Sequence, residues 1–176
     1  MPTASLSTNE LLKFLRRLRA VKEYTADPID SNVIEDILEV GRWSGSGGNR
    51  QPTEVVVVRD ADVKRKFGEW DARPAAGAGA VFLLVSRSEQ SAFDEGRMAE
   101  RLLLAAAAHG LGSTVATLKN EGPDEAKKLL GIPEDRRART LVVVGYPVPG
   151  PRPTLAPNVQ GGRKPLDEYA HWDRFS

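Results

Sequence analysis

Three short apolar runs limit what this chain can fold into. They lie at residues 54–59, 80–86 and 141–145, and the first of them holds four consecutive valines. Each run is short for a helix and lacks the polar–apolar alternation of a strand that is covered on only one side. Such runs are typical of strands buried on both faces. The sequence therefore predicts an α+β fold in which helices surround a central sheet.

Apolar residues at helical spacing predict the surrounding layers. Ser7 and Glu10 are spaced as a capping box at the start of a first helix, and Asp30 is expected to cap a second. Shorter helices are expected around residues 63–70 and 124–130. The buried stripe of the second helix is predicted to consist of Val33, Ile34, Ile37, Leu38 and Val40.

Residues 93–109 form the strongest predicted helix. This stretch is apolar nearly all round, which indicates a central helix or one that is buried at a subunit contact. Residues 113–118 add a further strand, so that a sheet of four or five strands is expected. After Pro147 the chain becomes rich in proline, glycine and charge, as expected for a tail that is either disordered or laid across another surface.

Composition excludes several classes of function. The length of 176 residues fits one domain with a sizeable core, and 25 basic residues nearly balance 24 acidic ones. That balance argues against a nucleic-acid binder that relies on a large positive field. The absence of cysteine excludes disulfides, thiolate catalysis and cysteine-ligated metals, and two distant histidines give no metal cluster. No segment has the pattern of a signal peptide or a membrane span, which predicts a cytoplasmic protein.

The Gly/Ser-rich loop of residues 43–52, WSGSGGNRQP, is the least ordinary stretch. It is not a P-loop, because the closing Lys-Ser/Thr pair is missing. It is not a Rossmann fingerprint either, because Arg50 replaces the third glycine and the loop precedes a strand. Its glycines and serines alone fit a flexible connection. Asn49 and Gln51 favour a ligand role, since their amides can donate to and accept from a planar polar ligand.

Five sequence blocks, which follow one another along the chain in the same order as in the family, resemble the nitroreductase family. The loop, preceded by Gly41 and Arg42, is similar to the family phrase A-x-W-A-P-S-x-x-N-x-Q-P-W. Residues 19–24, RAVKEY, with the following proline resemble the family motif R-[RH]-S-x-[RK]-x-[FY]. The remaining blocks are DEG at 94–96 with the helix into GLGS at 110–113, VVGYP at 143–147 and RKPL at 163–166. The resemblance therefore extends over almost the whole chain.

The resemblance implies both a fold and a reaction. The fold is a single domain over residues 1–176 with three layers, a mostly antiparallel mixed sheet and a tail at 148–176 that packs on the partner of an intertwined homodimer. The cofactor is FMN, with NAD(P)H as electron donor. A nitroaromatic, a quinone or another small oxidant then takes the electrons in the same site, in a ping-pong mechanism. The hydride chemistry lies on flavin N5, so no catalytic side chain is expected.

The resemblance also places one group of cofactor contacts on basic segments. Arg19 lies at the FMN phosphate, with Ala20 beside it. Lys22 lies at the ribityl chain and the pyrimidine edge, where a cation stabilises negative charge on the flavin. Arg163 and Lys164 return from the tail to the phosphate.

Two further groups of contacts follow from the same resemblance. Thr117 and Leu118 align with the turn whose backbone N–H faces flavin N5. The segment that contacts flavin from the partner subunit is represented by Ser46, Gly47, Asn49 and Gln51.

Four positions depart from the family pattern. Leu18 stands where a phosphate-binding arginine is usual, and Ala20 where serine is common. Gly45 replaces a proline, and Thr53 replaces a tryptophan. The departures at Leu18 and Ala20 remove two phosphate contacts, which Arg163 and Lys164 are expected to cover.

The remaining distinctive residues have ordinary structural interpretations. Arg16 and Arg17 are expected on a solvated helix face, as is the run at 64–66. His109, Trp43 and Trp70 are predicted in the core, and His171 and Trp172 on the partner subunit. Two alternatives to a nitroreductase remain open: a specialised flavoenzyme, such as a dehalogenase, on the same fold, or a flavin- or nucleotide-binding protein without turnover.

Overall fold

A four-stranded antiparallel sheet forms the centre of the protein, whose computed structural model describes residues 7–150 and 162–175. The order of the strands in the sheet is β1-β2-β4-β3, and each neighbouring pair is antiparallel. The strands are β1 (Thr53–Val58), β2 (Ala80–Ser86), β3 (Gly112–Thr117) and β4 (Arg137–Gly145). The sheet in the described residues therefore has four strands, the lower of the two numbers expected, and all of its pairs are antiparallel.

Helices cover both faces of this sheet. Helices α2 and α4 pack on one face, against Phe82, Leu84 and Val142, while α3 and α5 pack on the other. The three-layer α+β prediction is confirmed. The helices are α1 (Thr8–Arg17), α2 (Ser31–Arg42), α3 (Ala61–Glu69), α4 (Ala92–Ala108), α5 (Gly122–Leu130) and α6 (Leu166–Tyr169).

Strand β2 matches the prediction of a strand buried on both faces, whereas Val55, Val56 and Val57 of β1 are only half-buried. All seven residues of β2 are buried, because the strand pairs with β1 on one side and β4 on the other while helices cover both of its faces. Phe82 and Leu84 point toward α2 and α4, whereas Val81 and Leu83 point toward α3 and α5. Both sides of the strand therefore select apolar side chains, which removes any polar alternation.

Of the two predicted N-cap interactions, only the one at α1 is formed. The capping box at α1 is formed, with Ser7 N–H donating to Glu10 Oε2 at 2.9 Å and Glu10 N–H donating to Ser7 Oγ at 3.3 Å. These hydrogen bonds hold the pKa of Glu10 below its usual value. Asp30 occupies the N-cap of α2, but its side chain makes no capping hydrogen bond. Val40 is exposed and was wrongly placed in the buried stripe, since α2 buries the face of Ile34 and Ile37.

Lys64 and His109 correct two further expectations. Lys64 was predicted to be solvated, yet it is buried and its Nζ donates to the carbonyl of Ala78 at 2.5 Å. Burial lowers the pKa of this lysine, and nearby Arg59 lowers it further. His109 was predicted in the core but caps the end of α4, where its Nε2 lies 3.4 Å from the Asp36 carboxylate of α2. A helix terminus beside a second helix gives this side chain a polar neighbour, the Asp36 carboxylate, rather than apolar contacts.

A buried ion pair joins α4 to the sheet. The Glu95 carboxylate, almost fully buried, accepts hydrogen bonds from Ser86 of β2 and from Arg137 and Thr140 of β4. Arg137 Nε also donates to Glu89 at 2.9 Å. Every oxygen of the buried carboxylate therefore has a partner, as a charge in an apolar interior requires.

Replacing Arg137 with methionine should strongly destabilise the fold. The change leaves the Glu95 carboxylate buried without its counter-charge, which we expect to lower the free energy of unfolding by about 3–5 kcal/mol. Urea denaturation measures the difference. Arg139→Met is the matched control, because Arg139 is exposed on the same strand, and it should change stability by less than about 0.5 kcal/mol. Equal losses in the two variants would contradict a stabilising role for this pair.

Candidate active site

The segment before α2 runs along the ends of β3 and β4. Val21 N–H donates to Ser113 O at 2.9 Å, and Thr25 N–H donates to Tyr146 O at 2.9 Å. Tyr24 forms an isolated bridge with Pro147. These backbone contacts fix the stretch from Arg19 to Lys22 beside the first residues of β3.

Two glycines allow this close approach. A Cβ atom on Gly112 would lie 2.7 Å from Val21 Cγ1, and one on Gly145 would lie 2.8 Å from the ring of Tyr24. The Tyr24 hydroxyl donates to the carbonyl of Val21, and burial raises the pKa of this phenol above its ordinary value. Tyr24 therefore remains a protonated donor that holds the segment against the sheet.

The cationic side chains of this segment point into solvent. The Arg19 guanidinium donates to the carbonyls of Arg16 and Leu18 at the end of α1, at 2.8 and 2.6 Å. Lys22 and Ala20 are exposed, and neither Arg19 nor Lys22 makes an ion pair with a carboxylate in the described part of the chain. Both cations are thus open to an anionic ligand.

Strand β3 exposes backbone groups along the same edge. Leu118 N–H donates to Arg139 O at 2.9 Å, so hydrogen-bonded pairs recur at every second residue of the β3–β4 ladder. The backbone groups of Val115 and Thr117 consequently face away from β4. Among the described residues, β3 is the last strand on this side of the sheet.

Thr117 and Leu118 lie at the end of β3, as the strand predicted over residues 113–118 requires, and not in a turn; their contact with flavin N5 stays a prediction. Thr117 ends β3, the side chain of Leu118 is fully buried, and the turn follows at Asn120 and Glu121. The ladder continues through Leu118 because its N–H still pairs with β4. Of the two residues, Thr117 is therefore the one whose N–H faces the open edge.

The Gly/Ser loop forms a tight turn at the start of β1. Ser46 Oγ accepts a hydrogen bond from Gln51 N–H at 2.8 Å, around a short 3₁₀ turn at Gly47–Asn49. Asn49 and Gln51 both have positive φ angles, 53° and 48°. Gly47, Asn49 and Gln51 are exposed and Ser46 is half-buried, so the amides point outward from a closed loop.

A small cavity of about 70 Å³ lies under this loop. The N-terminal part of α4 lines it with Asp94 and Met98, while the loop contributes residues 44–46 and 51–53. The hydroxyls of Ser44 and Thr53 are buried there, and neither has a hydrogen-bond partner in the structure. The base of the loop and α4 therefore form one packed unit.

The Gly/Ser loop and the cationic segment lie at diagonally opposite corners of the sheet. The loop enters β1 at Thr53, in the row of Ser86 and Arg137, whereas Val21 lies beside Ser113, in the row of Val144. The corners are about 14 Å apart across the sheet and about 20 Å apart along it, or about 25 Å diagonally. Side chains of a single chain cannot bridge this distance, so the two groups of predicted contacts do not meet within one subunit.

Arg163 and Lys164 lie near the short helix α6. Both are exposed, and the Arg163 guanidinium donates only to the carbonyl of Gly162, at 2.9 Å. Among the described residues, no hydrogen bond or ion pair joins either cation to the segment of Arg19 and Lys22. Their predicted return to the phosphate stays a prediction.

Trp43 was predicted in the core and is instead an ordered surface residue. Its side chain is 68% exposed, its indole N–H donates to Glu39 at 2.8 Å, and the Arg42 guanidinium lies 5.5 Å from the ring centre. Hydrogen bonds from Arg42 and Trp43 lower the pKa of Glu39 to about 2. The four-residue spacing of Glu39 and Trp43 on one helix face was the signal that could have predicted this cluster. Trp70, by contrast, packs against the core as expected.

The described residues contain neither a membrane-spanning helix nor a cluster of metal-ligating side chains. In residues 7–150 and 162–175 no helix is long and apolar enough to cross a bilayer. In the same ranges no three acidic or histidine side chains converge in a way that could hold a metal ion.

Comparisons with known proteins agree with this architecture. A profile of the Nitroreductase family matches residues 15–97. A protein of Archaeoglobus fulgidus, provisionally described as an NADH dehydrogenase/NAD(P)H nitroreductase, is 30% identical over 149 residues, which cover 78% of this chain and 86% of that protein. An iodotyrosine deiodinase of Nematostella vectensis is 26% identical over 90% of this chain and 73% of its own length.

A solved structure shares the fold. The NADPH:FMN oxidoreductase of Vibrio harveyi superposes with a TM-score of 0.80 at 19% identity, over 94% of this chain and 77% of that one. The two proteins therefore share the same layered α+β architecture. The chain belongs to the nitroreductase family.

Gly145→Ala should loosen the segment that carries Lys22. The added methyl group collides with the ring of Tyr24, and we expect overpacking to cost about 1–3 kcal/mol of unfolding free energy in chemical denaturation. Gly77→Ala is the control, because a Cβ at Gly77 meets nothing within 4 Å. A Gly145 variant as stable as the Gly77 variant would show that Tyr24 does not depend on this close packing.

Proposed function

We propose that the protein is an FMN-dependent NAD(P)H oxidoreductase that reduces small oxidants, such as nitroaromatics or quinones, in the cytoplasm by a ping-pong mechanism. One observation carries the proposal: in a nitroreductase-family chain, an unpaired cationic segment lies along a sheet edge with free backbone groups. Relatives named as oxidoreductases of flavin and NAD(P)H support the cofactor and the electron donor.

The chemistry of the donor set fits FMN. A phosphate ester requires cations without carboxylate partners, and Arg19 meets this requirement. A planar heterocycle requires backbone donors and acceptors at its edge, which Val115 and Thr117 offer. From Val21, beside Ser113, to Thr117 the edge of β3 extends about 13 Å, a length suited to a tricyclic ring.

The residues bind and orient, while the cofactor supplies the reaction. Bound FMN would supply hydride and electron transfer, so the chain needs no nucleophile or proton-transferring pair. Lys22 places a positive charge at the pyrimidine edge, where it favours an electron-rich ring. Arg19, with Arg163 and Lys164 from the tail, neutralises the phosphate, and Ala20 lets the backbone approach it.

The second half of the site comes from a second copy of the chain. Within one chain the Gly/Ser loop is too far from the cationic segment to share a cofactor with it. The loop residues Ser46, Gly47, Asn49 and Gln51 therefore contact the cofactor that the partner binds in a homodimer. Exposed apolar side chains support such an assembly, since they mark interaction surfaces. They are Leu11, Leu12 and Leu15 of α1 and Leu166, Tyr169, Trp172 and Phe175 of the tail. Residues 151–161 and 176, which belong to the predicted wrapping tail, lie outside the described residues.

A dehalogenase is the second candidate, because an iodotyrosine deiodinase is among the similar proteins. A halogenated phenol would then replace the nitroaromatic as oxidant. A binding protein without turnover would take up flavin but would not pass electrons to it from NAD(P)H.

An anaerobic titration should separate these alternatives. We expect the purified protein to bind about one FMN per subunit by family analogy, and NAD(P)H to bleach the bound flavin. Nitroaromatics, quinones and halogenated phenols, added one at a time, should restore the colour only if they are substrates. Failure of FMN at tens of micromolar, roughly 10⁻⁵ M, to bind or to raise the melting temperature would refute the proposal.

Arg19→Ala should weaken FMN but not riboflavin. A charge-assisted hydrogen bond to the phosphate is worth roughly 1.5–3 kcal/mol, which corresponds to a loss in affinity of about 10- to 150-fold. The same loss is expected for Arg163→Ala, and fluorescence titration with both ligands measures it. Arg17→Ala is the control, since Arg17 is exposed in the last turn of α1. If Arg17→Ala costs as much as Arg19→Ala, the assignment of the phosphate contact is wrong.

Lys22→Ala should change the redox chemistry more than the binding. Without a cation at the pyrimidine edge, the reduction potential of bound flavin should fall and reduction by NAD(P)H should slow. The preference for FMN over riboflavin should change little, because Lys22 is not placed at the phosphate. Potentiometry and stopped-flow absorbance test both points, and an unchanged potential would remove Lys22 from this role.

A further inference from the structure

The Tyr24 hydroxyl lies between two backbone carbonyls beside the cationic segment. It donates to Val21 O at 2.5 Å, and Val143 O of β4 lies 3.3 Å away. A hydroxyl carries one proton, so it can donate to only one of these carbonyls at a time. The shorter distance assigns the proton to Val21. The main partner of the hydroxyl is therefore the cationic segment itself and not the sheet.

The hydroxyl adds a contact that the aromatic ring of Tyr24 does not provide. The ring packs against the core on the α3 and α5 face and lies over Gly145, where an added Cβ would be 2.8 Å from it. A phenylalanine ring would fill the same space, and the family motif R-[RH]-S-x-[RK]-x-[FY] accepts either residue at this position. Burial of a hydroxyl is costly unless it is hydrogen-bonded, and Val21 O supplies that bond.

The carbonyl that accepts this hydrogen bond belongs to the peptide unit that joins Val21 to Lys22. A peptide unit is planar, and the described residues contain no cis peptide bond, so Lys22 N–H points away from the Tyr24 hydroxyl. On the other side of the same residue, Val21 N–H donates to Ser113 O at 2.9 Å. Both peptide units that flank Val21 are thus fixed, and the position of the Lys22 Cα atom follows from them.

The Lys22 side chain has no contact that would direct it. It is exposed, and its ammonium group makes no hydrogen bond or ion pair with any residue that the structure describes. A lysine carries its charge on a flexible four-carbon stem. The place where its charge can act is therefore determined mainly by the backbone to which the stem is attached.

We propose that Tyr24 is a positioning residue, whose hydroxyl fixes the Val21–Lys22 peptide and thereby places the Lys22 ammonium group at the pyrimidine edge of the flavin. The inference rests on the proposed function and adds to it a residue outside the proposed cofactor contacts. A displaced ammonium group stabilises an electron-rich ring less, because the attraction between charges weakens with distance. Loss of the hydroxyl should therefore lower the reduction potential of bound flavin, although no group that contacts the cofactor is removed.

Tyr24→Phe tests this role in the FMN-loaded protein. The variant keeps the ring and should lower the flavin reduction potential, by less than Lys22→Ala does. Reduction by NAD(P)H should slow about 2- to 12-fold, the range that corresponds to one lost hydrogen bond. The preference for FMN over riboflavin should stay unchanged. Tyr146→Phe is the matched control, because Tyr146 is also half-buried but packs on the opposite face, with the core of α2 and α4.

A double-mutant cycle separates positioning from a general loss of packing. If Tyr24 acts through Lys22, Tyr24→Phe should change neither the potential nor the rate of reduction once Lys22 has been replaced by alanine. Potentiometry and stopped-flow absorbance on the four proteins measure this coupling. Equal shifts of the potential in the wild-type and Lys22→Ala backgrounds, or no shift in either, would overturn the proposal.

Amide hydrogen exchange in the flavin-free protein follows the segment without any cofactor. The N–H groups of Val21 and Thr25 donate to Ser113 O and Tyr146 O. In Tyr24→Phe both should exchange about 2- to 12-fold faster, since one hydrogen bond that holds the segment is lost. Tyr146→Phe should leave both rates unchanged. Wild-type exchange rates in Tyr24→Phe would contradict the proposal, because the hydroxyl would then not hold the segment.

The proposed function and the role of Tyr24 can fail separately. A wild-type protein that binds no FMN would refute the proposed function, and the positioning role would fall with it even if the exchange rates change as expected. A protein whose FMN is reduced by NAD(P)H at a potential independent of Tyr24 would refute the positioning role alone.

Discussion

Burial of β2 on all sides is the constraint on which the rest of the structure depends. A strand with two paired edges and two covered faces can carry only apolar side chains, and it requires two layers of helix to exclude water from it. The few polar groups that reach this centre must be fully paired, as Glu95 is by Ser86 and Arg137. The same layers decide where a ligand can go, because they leave only the sheet edges and corners open.

The candidate site follows from that geometry. The segment before α2 approaches the start of β3 closely because Gly112 and Gly145 lack side chains, and Tyr24 then holds the segment in place. The Gly/Ser loop closes the opposite corner and packs on α4. In the proposed homodimer each chain supplies half of a site, so that association and cofactor binding are thermodynamically coupled.

The sequence predicted the sheet and helices well where local patterns agree with tertiary burial. The valine run, the capping box at Ser7 and the long helix that became α4 were all visible in the residue spacing. Prediction failed where tertiary contacts determine whether a side chain is buried. Lys64 is buried because its ammonium group donates to the carbonyl of Ala78 in a distant loop, and Trp43 is exposed at the end of α2. The separation of Lys22 from the loop could not be predicted, since it depends on strand order.

The open edge of β3 has a consequence for handling the protein. An edge strand with free N–H and C=O groups is a template for adding foreign strands, and natural proteins usually blunt such edges with charge, proline or a covering segment. Within residues 7–150 and 162–175, the segment at Val21 covers only the start of the edge, and Val115 is 46% exposed. A ligand lying along this edge would shield it, so expression with too little riboflavin should favour aggregation, and flavin supplementation should improve the soluble yield.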